Sequence, residues 1–246
     1  MAAVSVYSVK GGVGKSTIAA NLAWVSAVRS GHTTLLWDLD AAGGGGFLFG
    51  VEAGRGQHGV KLFSDDKPAD DLIWHSGYAG LDVLPGDATL RSLDVTLHKL
   101  GKKRPIARLL KRFAAEYQRV IVDCPPVLNE LSSQVVRSSD VIILPITPSA
   151  LSRRALDQIR EDLAKNHPGH PPALPVLSMV DMRRALHRQT VEENPDWPVI
   201  PMASVLERAA GQGAPIGVLA PSSPAAQALE RLWAAIDRKL ENGAAK

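Results

Sequence analysis

Lys10-Gly11-Gly12-Val13-Gly14-Lys15-Ser16-Thr17 is the stretch that decides how this chain folds. An apolar, β-branched run precedes it and a run of helical period follows, so the glycines sit where a strand turns into a helix. That is the setting of a phosphate-binding loop. Glycines let backbone N–H groups turn inward around an anion, and the first helical turn adds its dipole. Lys15 then reaches the β- and γ-phosphates as a mobile point charge, and the Ser16 hydroxyl can ligate Mg²⁺. Gly11, Gly12, Val13, Gly14, Lys15, Ser16 and Thr17 are the candidate nucleotide-binding residues. The strict spacing wants Gly at position 9, where this chain has Val9. Lys10 is a lysine that one nucleotide on one chain does not need, and it suggests a cation meant for a second nucleotide.

Outward from the loop, short apolar runs alternate with longer helical ones, the pattern of parallel strands joined by crossover helices. Strands are expected at 4–9, 33–38, 81–84, 120–123, 141–144, 175–180 and 198–200, and helices at 17–29, 106–115, 149–165, 184–193 and 224–240. Several strands are apolar throughout, as strands buried on both faces should be. The last helix carries Leu229, Leu232, Trp233, Ile236 and Leu240 on one stripe. Residues 41–67 are glycine-rich, and prolines cluster around His167 and His170. No internal repeat or long linker interrupts the pattern, so one α/β domain over 1–246 is the simplest fit. With 45% hydrophobic and 22% charged residues, the chain can bury one large core.

Carboxylates placed at the C-terminal ends of parallel strands face the crevice where such sheets bind ligands. Asp38, Asp40 and Asp123 all take such positions. Because Mg²⁺ keeps several waters, Asp38 and Asp123 are assigned to the metal's water shell, with Ser16 as a direct ligand.

Composition closes several other routes. The single cysteine, Cys124, rules out intrachain disulfides and any Cys-rich zinc or iron–sulfur site within one chain, and suits a reducing, cytoplasmic compartment. The seven histidines show no metal spacing. No run approaches the roughly 18 apolar residues of a membrane span. The N-terminus lacks the form of a signal peptide, so the mature protein is expected to begin at its first strand.

The stretch 10–17 resembles the KGGxGK[ST] hallmark of the deviant-Walker ATPases, the ParA/MinD family. The resemblance extends through Trp37-Asp38-Leu39-Asp40, similar to that family's DxD, and Val120-Ile121-Val122-Asp123-Cys124-Pro125-Pro126, similar to its Walker B strand. Ile200-Pro201, Gly213-Ala214-Pro215-Ile216 and Pro221-Ser222-Ser223-Pro224-Ala225-Ala226 are similar to the ParA branch in particular. It implies a P-loop NTPase fold, a twisted, mainly parallel β-sheet flanked by helices on both faces. It also implies ATP/ADP and Mg²⁺ as ligands, and an ATP-sandwich homodimer in which Lys10 touches the partner's nucleotide. Asp40 would orient the attacking water, making Lys10, Lys15 and Asp40 the catalytic set. The segment from Ser178 to Asp181, and Pro201, would lie near the base. Where the family usually has Pro-Gln-Gly-Asn, this chain reads Ala41-Ala42-Gly43-Gly44, and the glycines at 43–46 are expected to add backbone freedom.

The net charge is only +3, yet the cations are concentrated. Lys99, Lys102, Lys103, Arg104, Arg108, Lys111 and Arg112 form one acid-free group, and Arg153, Arg154, Arg160, Arg183, Arg184 and Arg188 flank later helices. Such stripes suit nonspecific binding to the DNA backbone, and a solvated helix face accounts for each equally well. ParA relatives use basic residues near the C-terminal helices. Here Met202-Ala203-Ser204-Val205 follows Pro201 with Arg208 nearby, so the candidate DNA contacts are Arg153, Arg154, Arg183, Arg184, Arg188 and Arg208. The function implied is partition or positioning of DNA or a protein cargo, by a nucleoid-associated switch that a ParB-like adaptor resets. The alternatives are a MinD-like membrane switch, for which the ending Glu241-Asn242-Gly243-Ala244-Ala245-Lys246 lacks a basic amphipathic tail, and a small-molecule ligase or kinase, against which Lys10 argues.

Overall fold

Runs of Val, Ile and Leu that are too short for helices fill an eight-stranded sheet in the computed structural model, which describes residues 1–54, 59–64, 69–100 and 104–244. The strands are β1 (Ala2–Val6), β2 (Thr34–Asp38), β3 (Trp74–His75), β4 (Leu81–Leu84), β5 (Arg119–Asp123), β6 (Val141–Ile146), β7 (Ala173–Val180) and β8 (Val199–Pro201), in the order β3-β4-β2-β5-β1-β6-β7-β8. Every pairing is parallel except that of β3 with β4, a two-residue antiparallel edge the sequence did not announce.

Alternation along each strand divides the core into two layers. Val4, Val6, Leu36, Ile121 and Ile143 face one side, under α1 (Lys15–Trp24) and α10 (Pro224–Ala244). Ala3, Leu35, Trp37, Val120 and Val122 face the other, under α3 (Leu93–Leu100), α4 (Pro105–Phe113), α5 (Glu130–Ser138) and α6 (Ala150–Asn166). The expected α10 stripe is buried from Leu229 to Leu240, and Trp233 donates from its indole to Ser30 Oγ at 2.9 Å. The remaining helices are α2 (Gly44–Phe47), α7 (Ala185–Glu193), α8 (Ser204–Gly211) and α9 (Ile216–Leu219).

Differences from the expected elements have local causes. The first strand was expected over 4–9 but ends at Val6, because its partner β5 ends opposite it at Asp123. The helix expected over 17–29 becomes a wider π-helical turn at Val25–Arg29. Helices α2, α3, α5, α8 and α9 went unread, although Asn129 caps α5 reciprocally with Ser132. Lys102, Lys103, His58 and part of the 41–67 stretch lie outside the described residues. Among the described residues, no helix is long and apolar enough to cross a membrane.

Candidate nucleotide and metal site

Strand order reverses around β1, whose C-terminal end feeds the loop from Lys10 to Gly14. Gly12 and Gly14 carry φ of 71° and 86°, the left-handed region that L side chains avoid, so glycine is required at both turns. Nothing lies within 4 Å of where a Cβ would stand on Gly11 or Gly12, which leaves that face of the loop open. From behind, the buried Ser178 hydroxyl donates to Val13 O at 2.6 Å and ties the loop to β7. Lys15 is only 7% exposed and donates to Lys10 O at 3.3 Å, its ammonium closing the loop beneath the open face. Burial pushes its pKa down, against the attraction of Asp123 and Asp40.

The parallel register sets Asp38 of β2 directly opposite Asp123 of β5, which places two carboxylates side by side beneath the loop. Asp38 is 1% exposed and Asp123 fully buried. Asp38 accepts from Asp40 N at 2.9 Å and from Gly45 N at 2.8 Å, yet burial still pushes its pKa up to about 6. Asp123 is pushed well up by burial and then by the charge of Asp38, with Ser16 and Lys15 opposing. Neither oxygen of Asp123 makes a hydrogen bond of ordinary geometry among the described residues. An unpartnered buried carboxylate beside a second one is costly unless a cation joins them. This all-oxygen set of Ser16, Asp38 and Asp123 fits a hard divalent cation such as Mg²⁺.

Beside the loop, a cleft of about 190 Å³ runs between α1 and α8. Thr17, Ser178, Met179, Met202 and Leu206 line it, with Glu207 as its acid. Met179 is held at φ 55°, with its methyl 3.5 Å from where a Cβ on Gly14 would stand. Asp181 and Pro201 are not among the cleft's lining residues, and the Asp181 carboxylate is gripped by Arg183 from Nε at 2.8 Å and Nη2 at 2.9 Å.

Comparison with known proteins agrees with this construction. A family model described as an AAA domain matches residues 1–168. The chromosome-partitioning ATPase Soj of Thermus thermophilus is 30% identical over 93% of this chain and 92% of its own length. The chain belongs to the ParA/MinD family of P-loop ATPases. Among solved structures, apo McdA from Cyanothece aligns with a TM-score of 0.80 at 19% identity, covering 98% of this chain and 99% of that one. The septum site-determining protein MinD of Pyrococcus horikoshii, complexed with Mg-ADP, aligns with a TM-score of 0.76 at 23% identity over 96% of each chain.

Lys10, the residue that marks the ParA/MinD loop, reaches the start of α6. Its Nζ donates to Ser149 Oγ at 3.2 Å and Ser152 Oγ at 3.0 Å, and Thr147 joins the same hydroxyl cluster. Both serines were read only as part of a helix start; nothing in their spacing signals a lysine 139 residues away. Gly86 is a second residue that sequence reasoning missed. A Cβ there would stand 2.1 Å from Asp40 O, so the β4 exit packs backbone to backbone against the DxD segment. Asp40 itself accepts from Ala42 N at 3.0 Å and stays half-buried. The glycines at 43–46 are not loose: Gly44, Gly45 and Gly46 form most of α2, packed on the carboxylates. The arginines divide. Arg153 pairs with Glu193, Arg183 with Asp181, and Arg188 donates to the carbonyls of Met182 and Arg183. Arg154, Arg184 and Arg208 are exposed, with no side-chain ion pair or hydrogen bond among the described residues.

Proposed function

We propose that this chain is a ParA-type ATPase that forms an ATP-sandwich homodimer, holds nonspecific DNA or a cargo adaptor in that state, and is reset by slow, partner-stimulated hydrolysis. The observation that carries the reading is the contrast between the two lysines. Lys15 is buried under its own loop, whereas the Lys10 ammonium is tethered away from it by two hydroxyls, its side-chain partners among the described residues. Breaking those two bonds frees Lys10 for a second nucleotide. Two hydroxyl oxygens satisfy the ammonium's donors but not its charge, so a phosphate oxygen attracts it more strongly than either serine does.

In this reading the loop amides, Lys15 and Thr17 hold the triphosphate, and the apolar cleft beside Met179 takes the base, with Asp181 and Pro201 at its edge. Ser16, Asp38 and Asp123 would hold Mg²⁺, which supplies charge neutralisation on the phosphate oxygens when bound. Asp40 orients the attacking water. Positioning and electrostatics carry phosphoryl transfer, so a site whose second lysine must arrive from a partner turns over slowly alone. ATP favours the dimer because only the dimer supplies that lysine. Arg154, Arg184 and Arg208 offer cations for phosphate contacts without base readout, with Arg153, Arg183 and Arg188 beside them. A cytoplasmic, nucleoid-associated location follows from that binding.

Sedimentation velocity tests the reading, with Mg²⁺ and a non-hydrolysable ATP analogue, alone and with a short DNA duplex at two salt concentrations. Wild type is expected to sediment as a dimer with the analogue and to carry DNA at low salt only. Lys10→Ala is expected to bind the analogue and remain monomeric. A dimeric Lys10→Ala protein, or loss of analogue binding in it, contradicts the role given to Lys10.

A further inference from the structure

The α2 segment opens where Ala41-Ala42-Gly43-Gly44 ends, and it touches the metal residues. Its first three residues are Gly44, Gly45 and Gly46, and each stands where a side chain would intrude. A Cβ on Gly44 would lie 3.0 Å from Ser16 Oγ. One on Gly45 would lie 3.1 Å from Asp38 Oδ2 and 3.4 Å from Asp123 Oδ2. One on Gly46 would lie 2.6 Å from Val51 O. The backbone of α2 therefore packs directly against all three residues of the metal set.

It also occupies their bonding capacity. Asp38 Oδ2 accepts from Gly45 N at 2.8 Å and from Gly46 N at 3.4 Å, while Asp38 Oδ1 accepts from Asp40 N. Asp38 Oδ2 thus has both its acceptor positions taken and Oδ1 one of its two, whereas neither oxygen of Asp123 has a partner among the described residues. On its far side α2 runs through Phe47 into Gly50. A Cβ on Gly213, in the turn between α8 and α9, would lie 3.2 Å from Gly50 N, so these two backbones also meet without an intervening side chain. That turn is anchored to α1 by Asn21, whose Oδ1 accepts from Ile216 N at 2.9 Å. Preceding it, α8 supplies Leu206, Glu207 and Ala210 to the apolar cleft.

We propose that α2 is a metal-displaced latch: its Gly45 and Gly46 amides hold Asp38 while the metal position is free, and a hydrated divalent cation takes Asp38 from them. The displacement then passes from Gly50 to Gly213 and α8, so that metal occupancy is felt at the cleft. Glycine at 44, 45 and 46 is what permits both states, since side chains there would block the closed one. Contacts without flexible side chains transmit a shift rather than absorb it. The inference rests on the metal reading of Ser16, Asp38 and Asp123.

NMR of the full chain labelled with ¹⁵N-glycine tests it, with ATP analogue plus EDTA compared against analogue plus Mg²⁺. The expected result is that Gly11, Gly12 and Gly14 respond to nucleotide, and that Gly45, Gly46, Gly50 and Gly213 shift only when Mg²⁺ is added. Gly45 and Gly46 amide hydrogen exchange should then accelerate. Gly45 and Gly46 unmoved by Mg²⁺ while the loop glycines respond to it would overturn the latch. Gly45 moving without Gly50 and Gly213 would overturn the relay. No Mg²⁺ response at any loop glycine would instead overturn the metal reading beneath both. As a second readout, Gly45→Ala, which blocks the closed latch, is expected to strengthen the Mg²⁺-dependent part of analogue affinity by about tenfold, with affinity in EDTA unchanged. Equal changes in both conditions, or a weaker Mg²⁺-dependent part, would contradict the latch.

Discussion

Replacing Lys15 by Ala is expected to abolish ATP binding while leaving the unliganded fold nearly as stable as before. The two halves have different physical origins. In the free protein the ammonium is buried with a single 3.3 Å bond to a carbonyl, and burial already pushes its pKa down. Its desolvation cost and its attraction to Asp123 and Asp40 offset one another, so truncation should change unfolding free energy by less than about 1 kcal/mol. With ATP present the same ammonium would meet phosphate oxygens inside a water-poor loop. Losing a charge-assisted contact of that kind costs about 3 kcal/mol, a loss of roughly a hundredfold in affinity or more. Calorimetric titration and thermal unfolding of the same variant measure both quantities. Near wild-type affinity in Lys15→Ala would remove Lys15 from the site.

Asp123→Asn should make the free protein more stable above neutral pH and destroy its Mg²⁺ dependence. Burial, and then the charge of Asp40, push the Asp38 carboxyl up to about 6 in the fold, against three backbone hydrogen bonds. A folded pKa above the unfolded value near 3.9 means that the stability is fully present below about pH 4 and is lost as pH rises through about 6. A shift of that size corresponds to about 3 kcal/mol of lost stability at pH 8. Asp123, raised in the same direction, adds to the loss. Neutral Asn at 123 removes one of the two charges, so the variant should exceed wild type in stability at pH 8 and match it near pH 4. The difference between the two proteins isolates this pair from every other ionisable group, since those are common to both. Mg²⁺-dependent nucleotide affinity in wild type should fall as pH drops through 6, because carboxylates must be ionised to hold the cation. Chemical denaturation across pH, with and without Mg²⁺ and nucleotide, reads these effects. A variant less stable than wild type at pH 8 would contradict the account of the pair.

Both carboxylates, the phosphate loop and most of the parallel sheet were legible in the sequence because their signals are local. A strand of Val and Ile ending in Asp needs no distant partner to be read, and a glycine loop between strand and helix carries its chemistry in eight residues. What stayed unread depends on tertiary approach. Gly86 matters only because the β4 exit meets Asp40, and Ser149 with Ser152 only because β1 and β6 are neighbours in the sheet. The glycines at 43–46 were read as backbone freedom, since composition alone reports only what a glycine permits. In the fold they serve close packing against Ser16, Asp38 and Asp123, the opposite use of the same residue. The grip of Arg183 on the Asp181 carboxylate was likewise unread, since two residues' spacing does not announce an ion pair.

The central claim is that Lys10 acts on the nucleotide of a second chain, and mixing two inactive variants tests it most directly. Lys10→Ala lacks the lysine but keeps its own Asp40, and Asp40→Ala lacks the water-positioning carboxylate but keeps its lysine. In a mixed dimer, the site on the Lys10→Ala chain has its own Asp40 and receives Lys10 from the other chain. Each mixed dimer carries one complete site, and Asp40→Ala homodimers compete for the pairing, so ATPase activity should return to a measurable level of at most about a quarter of the wild-type rate. If Lys10 serves only its own chain, no mixed dimer has a complete site, and a mixture as inactive as either variant alone would contradict the account.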